Sequence, residues 1–193
     1  METVTECRVN IAWVLADSAT FGPEINIERL KQIGSFWGSW RTWRGCETDN
    51  VICNDLAKAA DLLKRNFQTD CNFYLPNGSY QSLNRPVGVK LYEGTFVHDV
   101  DRQDEIVAMH LAAAANDIVL LLGFNLSEPA VNPDKLLEHR ARNYRGLIRQ
   151  AMADNSHVQW VLVDHPDPVM KDMANLPNLT VDTMESVLTL VNS

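Results

Sequence analysis

Short apolar runs recur along the chain, and turn-forming or acidic residues end most of them. The clearest run covers residues 117–122, where Asp-Ile-Val-Leu-Leu-Leu is followed by Gly123. Continuous apolar runs of this length are typical of strands that helices cover on both faces. The pattern therefore predicts strands at residues 9–15, 71–75, 89–92, 117–122, 158–163 and 179–181.

Between these runs, apolar residues recur every three or four positions, which is the spacing of one helix face. Leu56, Ala59 and Leu63, for example, fall at this spacing. Asn132 and Pro133 are typical of a helix start and predict that a long helix begins at residue 133. Helices are predicted at 54–66, 104–115, 133–154 and 169–174, together with one from about residue 27 into a tryptophan-rich segment and a closing helical turn.

Strands that alternate with helices favour parallel neighbours joined by crossovers. We therefore expect an α/β fold, namely a three-layer, doubly wound and mostly parallel sheet of about five strands, of Rossmann-like or flavodoxin-like type. The chain has 193 residues, and no repeat or low-complexity linker divides it. This length and organisation predict a single α/β domain over residues 1–193.

The amino-acid composition limits which kinds of partner the protein is expected to bind. The 25 acidic residues outnumber the 17 basic ones and give a formal net charge of −8. A protein that holds duplex nucleic acid needs a basic face, so duplex binding is not expected. No apolar stretch approaches the ~20 residues that span a bilayer, and no signal peptide is visible, which predicts a soluble, cytoplasmic protein without membrane contact. The four cysteines lack zinc-binding spacing and are expected as packed thiols, and the residues indicate no metal site and no cofactor.

Polar residues follow four of the predicted strands. In a doubly wound sheet, ligands bind beyond the carboxyl ends of the strands, where the strand order reverses. Turns and helix caps use the same residue types, so a purely structural role is the alternative. The candidate residues in these loops are Asp17, Ser18 and Thr20; Asn77, Gly78 and Ser79; Gly123, Phe124 and Asn125; and Asp164, His165 and Asp167.

The first of these loops, Ala-Asp-Ser-Ala-Thr at residues 16–20, carries neither a dinucleotide-binding glycine fingerprint nor a P-loop. It resembles the first sequence block of SGNH-type hydrolases, Gly-Asp-Ser-x-Thr, with alanine in place of the glycine. Gly-Phe-Asn at residues 123–125 resembles the Gly-x-Asn block of that family. The Asp-x-x-His block that the family carries near its C-terminus is absent.

The resemblance implies a serine esterase in which Ser18 attacks an acyl carbon. The backbone N–H groups of Ser18 and Gly78 and the side-chain amide of Asn125 would then stabilise the oxyanion. A serine nucleophile needs an adjacent base, and His165 from a neighbouring loop is the candidate for that role. Asp17, which precedes the serine, is also a catalytic candidate.

The most unusual segment is residues 34–45, which contains Trp37, Trp40 and Trp43 at steps of three. A helix would place these rings along one face, with Arg41 and Arg44 close by. Aromatic faces stack on planar groups, and arginine binds phosphate or carboxylate oxygens. Core packing against a sheet and a subunit interface are the alternatives for this segment.

Residues 46–51, which follow the tryptophan segment, are polar. Asp49 and Asn50 are therefore expected to line the same cleft as that segment.

Three functions remain open. The leading one is a small-molecule-binding α/β protein, with its catalytic activity undecided, that takes a nucleotide-like or other anionic ligand at the carboxyl ends of the strands. The alternatives are an SGNH-like serine esterase and a non-catalytic interaction protein that uses residues 37–43 as an interface, for which homo-oligomerisation is credible. In the leading hypothesis the ligand-binding residues are Arg41, Arg44, Trp40, Asp49, Asn50, Gly78, Gly123 and Asp164, with Asp17, Ser18 and Asn125 on the sheet side.

Overall fold

A computed structural model of the protein describes residues 9–17, 19, 26–43, 46–93, 103–127 and 134–190. Eight strands in these ranges form one sheet, and every pair of neighbouring strands is parallel. The strands are β1 (Ile11–Leu15), β2 (Ser35–Ser39), β3 (Asn50–Ile52), β4 (Asn72–Pro76), β5 (Val89–Tyr92), β6 (Ile118–Leu122), β7 (Gln159–Val163) and β8 (Leu179–Asp182). Their order across the sheet is β5-β4-β3-β2-β1-β6-β7-β8.

Helices cover both faces of this sheet. Within the described ranges, no helix is both long enough and apolar enough to cross a membrane. The helices are α1 (Ile27–Ile33), α2 (Trp40–Trp43), α3 (Leu56–Lys64), α4 (Asn77–Ser82), α5 (Gln103–Ala115), α6 (Lys135–Asp154), α7 (Lys171–Ala174) and α8 (Met184–Leu190), and a short 3-10 turn covers Phe67–Thr69.

Alternating side chains of the strands divide the core into two layers. On one face, Ala12 and Val14 of β1 pack in a large cluster with residues of α5, α6 and α7. On the other face, Trp13 and Leu15 pack with residues of α1 and α8, and a neighbouring cluster around Phe73 packs with α2 and α3. The arrangement is a three-layer α/β fold, which confirms the predicted class.

The sheet has eight strands where a sheet of about five was expected; six lie at the segments predicted from the sequence, and β2 and β3 lie where no strand was predicted. The helix predicted to run into the tryptophan segment is wrong: α1 ends at Ile33, and Trp37 lies in β2. Gly34 marks this change, because a Cβ on its extended backbone would lie 2.3 Å from the carbonyl oxygen of Ile11. Only a glycine allows the chain to pass so close to β1 and to begin the next strand there.

The strand order reverses between β1 and β6. From β1 the chain continues through β2 to β5 on one side, and it returns through α5 to β6 on the other. Helix α1, which follows β1, packs on one face of the sheet, whereas helix α6, which follows β6, packs on the opposite face. Loops that diverge in this way open a crevice beyond the carboxyl ends of the two strands, and the candidate site lies beside this crevice.

Candidate ligand-binding site

Asp17 lies just beyond the end of β1, at the crevice, and its carboxylate is held on both oxygens. Oδ1 accepts hydrogen bonds from the hydroxyl groups of Ser39 and Thr42, the latter at 3.2 Å. Oδ2 pairs with Nη1 of Arg41 at 3.2 Å. The Asp17 side chain is only 12% exposed, whereas that of Arg41 is 54% exposed. The pair therefore consists of a fixed, mostly buried carboxylate and a guanidinium group that solvent or a ligand can reach.

Hydrogen bonds to Ser39 hold Arg41 and Thr42 next to Asp17. Ser39 is the last residue of β2, and its Oγ accepts hydrogen bonds from the backbone N–H groups of Arg41 at 3.0 Å and Thr42 at 3.2 Å. Serine in this position is a typical helix N-cap, which here starts α2 directly at the end of the strand. The same hydroxyl donates to Asp17, so one buried serine both caps α2 and positions the carboxylate.

Glu105, in the first turn of α5, is fully buried beneath the crevice. Its Oε1 accepts a hydrogen bond from the backbone N–H of Asp17, and its Oε2 accepts one from the hydroxyl group of Tyr144 on α6. A buried carboxylate is stable only when such donors satisfy it. The chain of contacts from Tyr144 through Glu105 to Asp17 thereby joins α6, α5 and the loop after β1.

Asp104, also in the first turn of α5, is 7% exposed and faces the end of β3. Its Oδ1 accepts the backbone N–H of Asn54 at 2.9 Å, and the Tyr92 hydroxyl donates to the side chain of Asn54. The pKa of the Asp104 carboxyl is raised to about 6: burial is the main cause and the charge of Asp17 adds to it, whereas hydrogen bonding from Asn54 and the charge of Arg41 oppose the rise. Asp104 therefore changes its protonation state near neutral pH.

Groups around Asp104 are held in their neutral forms. Burial raises the pKa of the Tyr92 hydroxyl and of the Cys53 thiol, and the negative charge of Asp104 adds to both effects. A neutral tyrosine donates a hydrogen bond, and a neutral buried thiol packs as a small apolar group. Asp104 thus has uncharged groups, Tyr92 and Cys53, on the β3 and β5 side, and the charges of Asp17 and Arg41 also act on it.

Asp17, Asp104 and Glu105 form what we call the carboxyl cluster, at the ends of β1, β2 and β3. Carboxylates accept hydrogen bonds from ligand hydroxyl groups, and a carboxyl with a pKa near 6 can give or take a proton at physiological pH. Arg41 adds a donor group suited to phosphate or carboxylate oxygens. Over the part of the chain that the structure describes, no group of three or more His, Cys, Asp or Glu side chains is arranged to hold a metal ion.

Three of the site residues predicted from the sequence lie close together in the structure, namely Asp17, Arg41 and Trp40. The Arg41 guanidinium lies 5.3 Å from the centroid of the Trp40 ring while it pairs with Asp17. Arg41 therefore connects the tryptophan segment to the crevice, although the segment is not one continuous helix. Ser18 and Arg44 lie outside the described residues.

Gly123 brings the loops of β1 and β6 into contact. Its φ is +80°, and a Cβ there would lie 2.6 Å from Cα of Ala19 and 2.7 Å from the backbone nitrogen of Ala19. A glycine is required by both the left-handed conformation and the close approach. Asn125, two residues later, is exposed, and its Oδ1 accepts the backbone N–H of Ser127 at 3.1 Å, which is a local turn interaction.

The residues after β7 mainly organise neighbouring loops. Nε2 of His165 accepts the backbone N–H of Leu126 at 3.0 Å, and Nδ1 lies 2.6 Å from the carbonyl oxygen of Asp167. Asp164 has φ of +51° and accepts the backbone N–H of Met184 at the start of α8 at 2.9 Å. A base role for His165 would require one of its two backbone contacts to break, so the esterase hypothesis stays a prediction.

Three further candidates are not brought to Asp17. Gly78 is in α4 and follows β4, which is three strands from β1, or about 14 Å at the usual spacing of strands. Asn50 is the first residue of β3, and Asp49 precedes it and accepts the backbone N–H of Phe36 at 2.7 Å. Asp49 and Asn50 therefore lie at the amino end of their strand, away from the carboxyl ends that border the crevice.

Sequence reasoning missed Ser39, Thr42, Asp104, Glu105 and Tyr144. One signal was available: the helix from residue 104 is apolar on nearly all sides apart from two consecutive acids in its first turn. A helix that is apolar all round is buried, so its acids must be buried as well and need partners.

Comparisons of the chain with protein-family models, with curated proteins and with solved structures found no match.

Proposed function

We propose that the protein binds a small, nucleotide-like ligand at the crevice, one that carries both an anionic group and hydroxyl groups. The observation that supports this proposal is the meeting of Asp17, Asp104 and Glu105 with Arg41 at the ends of β1, β2 and β3, beside the reversal of strand order. Ligands of doubly wound sheets bind at this place.

The ligand's anionic group binds to Arg41. A guanidinium group has five N–H donors, and the bond to Asp17 uses one of them. Asp17 holds the arginine in position, so little side-chain freedom is lost when a ligand binds. The half-exposed Arg41 side chain supplies positive charge at a site otherwise rich in carboxyl groups.

The ligand's hydroxyl groups bind to Asp17 and Asp104, which retain some exposed surface, whereas Glu105 is fully buried and holds the backbone N–H of Asp17 in place. Asp104 has a pKa of about 6 and accepts or donates a proton at the pH of the cell. A buried carboxyl with a raised pKa in a cleft is a recognised indicator of acid–base chemistry. We therefore propose that any reaction at this site uses Asp104 as its proton-transferring group.

A thermal-shift panel of nucleotides, nucleosides and sugar phosphates tests the proposal. A ligand at 100 times its dissociation constant adds about 2.7 kcal/mol to stability, or roughly 5–10 °C for a domain of this size. We expect nucleotides or sugar phosphates to raise the Tm and nucleosides to raise it less, because nucleosides lack the anionic group.

The variant Arg41→Ala identifies the site. It should lose most of the Tm increase, whereas the control Arg149→Ala should keep it. Arg149 is a suitable control because its side chain is 49% exposed and its nearest carboxylate oxygen, on Asp172, is 3.9 Å away. A panel without any increase, or an increase that Arg41→Ala retains in full, would contradict the proposal.

A further inference from the structure

A groove of about 220 Å³ lies between α2, α3 and the 3-10 turn, on the face of the sheet opposite α5. Its aromatic walls are Trp40, Trp43 and Phe67. Trp43 packs edge to face against Phe67 with ring centroids 4.6 Å apart, and Phe67 packs in the same way against the buried Phe73 at 5.2 Å. The floor of the groove is therefore anchored in the core, and we call it the tryptophan groove.

The size and lining of this groove suit a planar ring. An apolar cavity of about 150 Å³ in a protein takes up a benzene ring, so a groove of about 220 Å³ has room for a larger planar group. Trp40 and Trp43 are each only partly buried, which leaves indole surface open to the groove. Aromatic rings gain energy beyond simple area burial when they stack offset or edge to face on such surfaces.

Two cationic side chains at the groove can donate hydrogen bonds to an anionic group. Lys58 and Arg65 both line it, and Asp70 is the acid among its lining residues. The Lys58 ammonium lies 4.8 Å from the centroid of the Trp40 ring. Lys58 and Arg65 share Asp61 at 3.2 and 3.3 Å. Asp61 engages one nitrogen of each side chain, so both cations keep further N–H donors for an anionic group beside the partly buried indoles.

We propose that the tryptophan groove is a second binding site, and that it takes a planar aromatic ring bearing one anionic group. The ring lies against Trp43 and Phe67, and the anionic group pairs with Lys58 and Arg65. This inference is independent of the function proposed for the crevice, because neither cation contacts the carboxyl cluster within the described residues.

The test uses the full chain and two related fluorescent probes. One is 8-anilinonaphthalene-1-sulfonate, whose planar naphthalene ring bears one anionic sulfonate, and the other is N-phenyl-1-naphthylamine, which has the same rings without the charge. A double variant, Lys58→Met and Arg65→Met in one chain, keeps apolar side chains at both positions and removes both cations. Arg149→Met is the remote control. Circular dichroism and Tm verify that each variant is folded.

We expect the sulfonate to bind the native chain saturably, and the double variant to bind it at least about tenfold more weakly, which is the effect of losing a charge-assisted contact. The uncharged probe should be unaffected by the double variant. Arg149→Met should leave sulfonate binding unchanged. The double variant should keep the Tm increase that nucleotides or sugar phosphates give at the crevice, because neither Lys58 nor Arg65 contacts the carboxyl cluster in the described residues, and this result separates the groove from the crevice.

Three results would overturn the inference. The first is the absence of saturable sulfonate binding up to about 1 mM, the weakest range of specific affinity. The second is equal affinity of the double variant and the native chain, which would place the probe elsewhere. The third is equal affinity of the two probes for the native chain, which would show that charge takes no part.

Discussion

Replacement of Asp104 by asparagine should remove a pH dependence of stability that this one carboxyl group creates. Asparagine has nearly the same shape, and its side-chain oxygen can still accept the backbone N–H of Asn54 that Asp104 accepts at 2.9 Å. What the substitution removes is the ability to ionise in a site where burial raises the pKa from its ordinary value of 3.8 to about 6.

The sign of the effect follows from these two values. Between pH 3.8 and about 6, the folded protein holds a proton on Asp104 that the unfolded chain has released. Raising the pH through this range therefore lowers the free energy of unfolding, and the loss is nearly complete about one unit above the folded pKa of about 6. The difference between 6 and 3.8, at 1.36 kcal/mol per pH unit, gives a loss of about 3 kcal/mol. This direction is opposite to that of a carboxylate stabilised by a salt bridge.

Urea unfolding at several pH values from 4 to 7.5, at constant ionic strength, measures this effect. The quantity of interest is the stability of the native chain minus that of Asp104→Asn at each pH. This difference should fall by about 2.4 kcal/mol as the pH rises from 4 to 7, because part of the full loss of about 3 kcal/mol occurs below pH 4 and a little above pH 7. Asp55→Asn is the matched control, because exposed Asp55 also accepts one backbone N–H, that of Lys58 at 2.9 Å. Asparagine caps a helix about as well as aspartate. The stability of the native chain minus that of Asp55→Asn should therefore change by less than about 0.5 kcal/mol over this pH range.

A difference curve for Asp104→Asn that is flat, or that rises with pH, would refute the reasoning. A flat curve would mean that Asp104 is hydrated enough to titrate normally. A rising curve would mean that its ionised form is stabilised by Arg41 and Asn54 more than burial opposes it. Carbon-13 NMR of the Asp104 carboxyl separates the cases directly, since the reasoning requires a midpoint near 6.

Three further substitutions or treatments test other parts of the fold. Gly123→Ala should destabilise the protein by at least about 2 kcal/mol in urea unfolding, since its φ is +80° and the added Cβ would meet backbone atoms 2.6 Å away. Tyr144→Phe should cost about 1–3 kcal/mol, because buried Glu105 loses a hydrogen-bond donor. Alkylation of Cys46 by iodoacetamide at pH 8, followed by peptide mapping, should be about a hundredfold slower in the native than in the unfolded protein, because burial raises its pKa to about 11.

Controls for these experiments are present in the same chain. Gly78→Ala should be neutral or slightly stabilising, because a Cβ there has no neighbour within 4 Å. Tyr80→Phe should change stability little, because the described residues offer its hydroxyl no hydrogen bond. Equal costs for the two glycines, or for the two tyrosines, would show that the contacts described for Gly123 and Tyr144 are not the cause. Equal alkylation rates for native and unfolded Cys46 would show that its thiol is not buried.

The sequence predicts those elements whose own pattern is strong. Residues 118–122 form a continuous apolar run, and β6 occupies the same positions. Strand β3 has three residues, one of which is Asn50, and so short a segment carries no period of its own. It is a strand because β2 and β4 flank it and supply partners for its backbone groups, which a local pattern cannot reveal.

Only part of the candidate site could be predicted, because a local sequence pattern does not show which distant residues meet. Asp17 could be found because it directly follows a recognisable strand. Glu105 could not be placed beside it, since the two are 88 positions apart and meet because α5 returns from the edge strand β5 to pack against β1 and β2. The positions of Gly78 and Asn50 were misjudged for a related reason, because distance to the site depends on the strand order. That order is a property of the whole sheet and is not encoded at any one loop.

The energetic cost of Asp104 is the strongest physical support for the function that we propose at the carboxyl cluster. If the group served only to accept the backbone N–H of Asn54, a neutral side chain such as asparagine would do so without the loss of about 3 kcal/mol near neutral pH. That loss is a substantial fraction of the 5–15 kcal/mol by which domains of this kind are typically stable. Proteins retain such costs mainly where a site needs a strained or titratable group. A carboxyl that changes its protonation state near Asp17 and Arg41 meets this condition. The exposed polar residues of the other loops lower the stability of the fold little, so their presence gives no comparable support for a functional role.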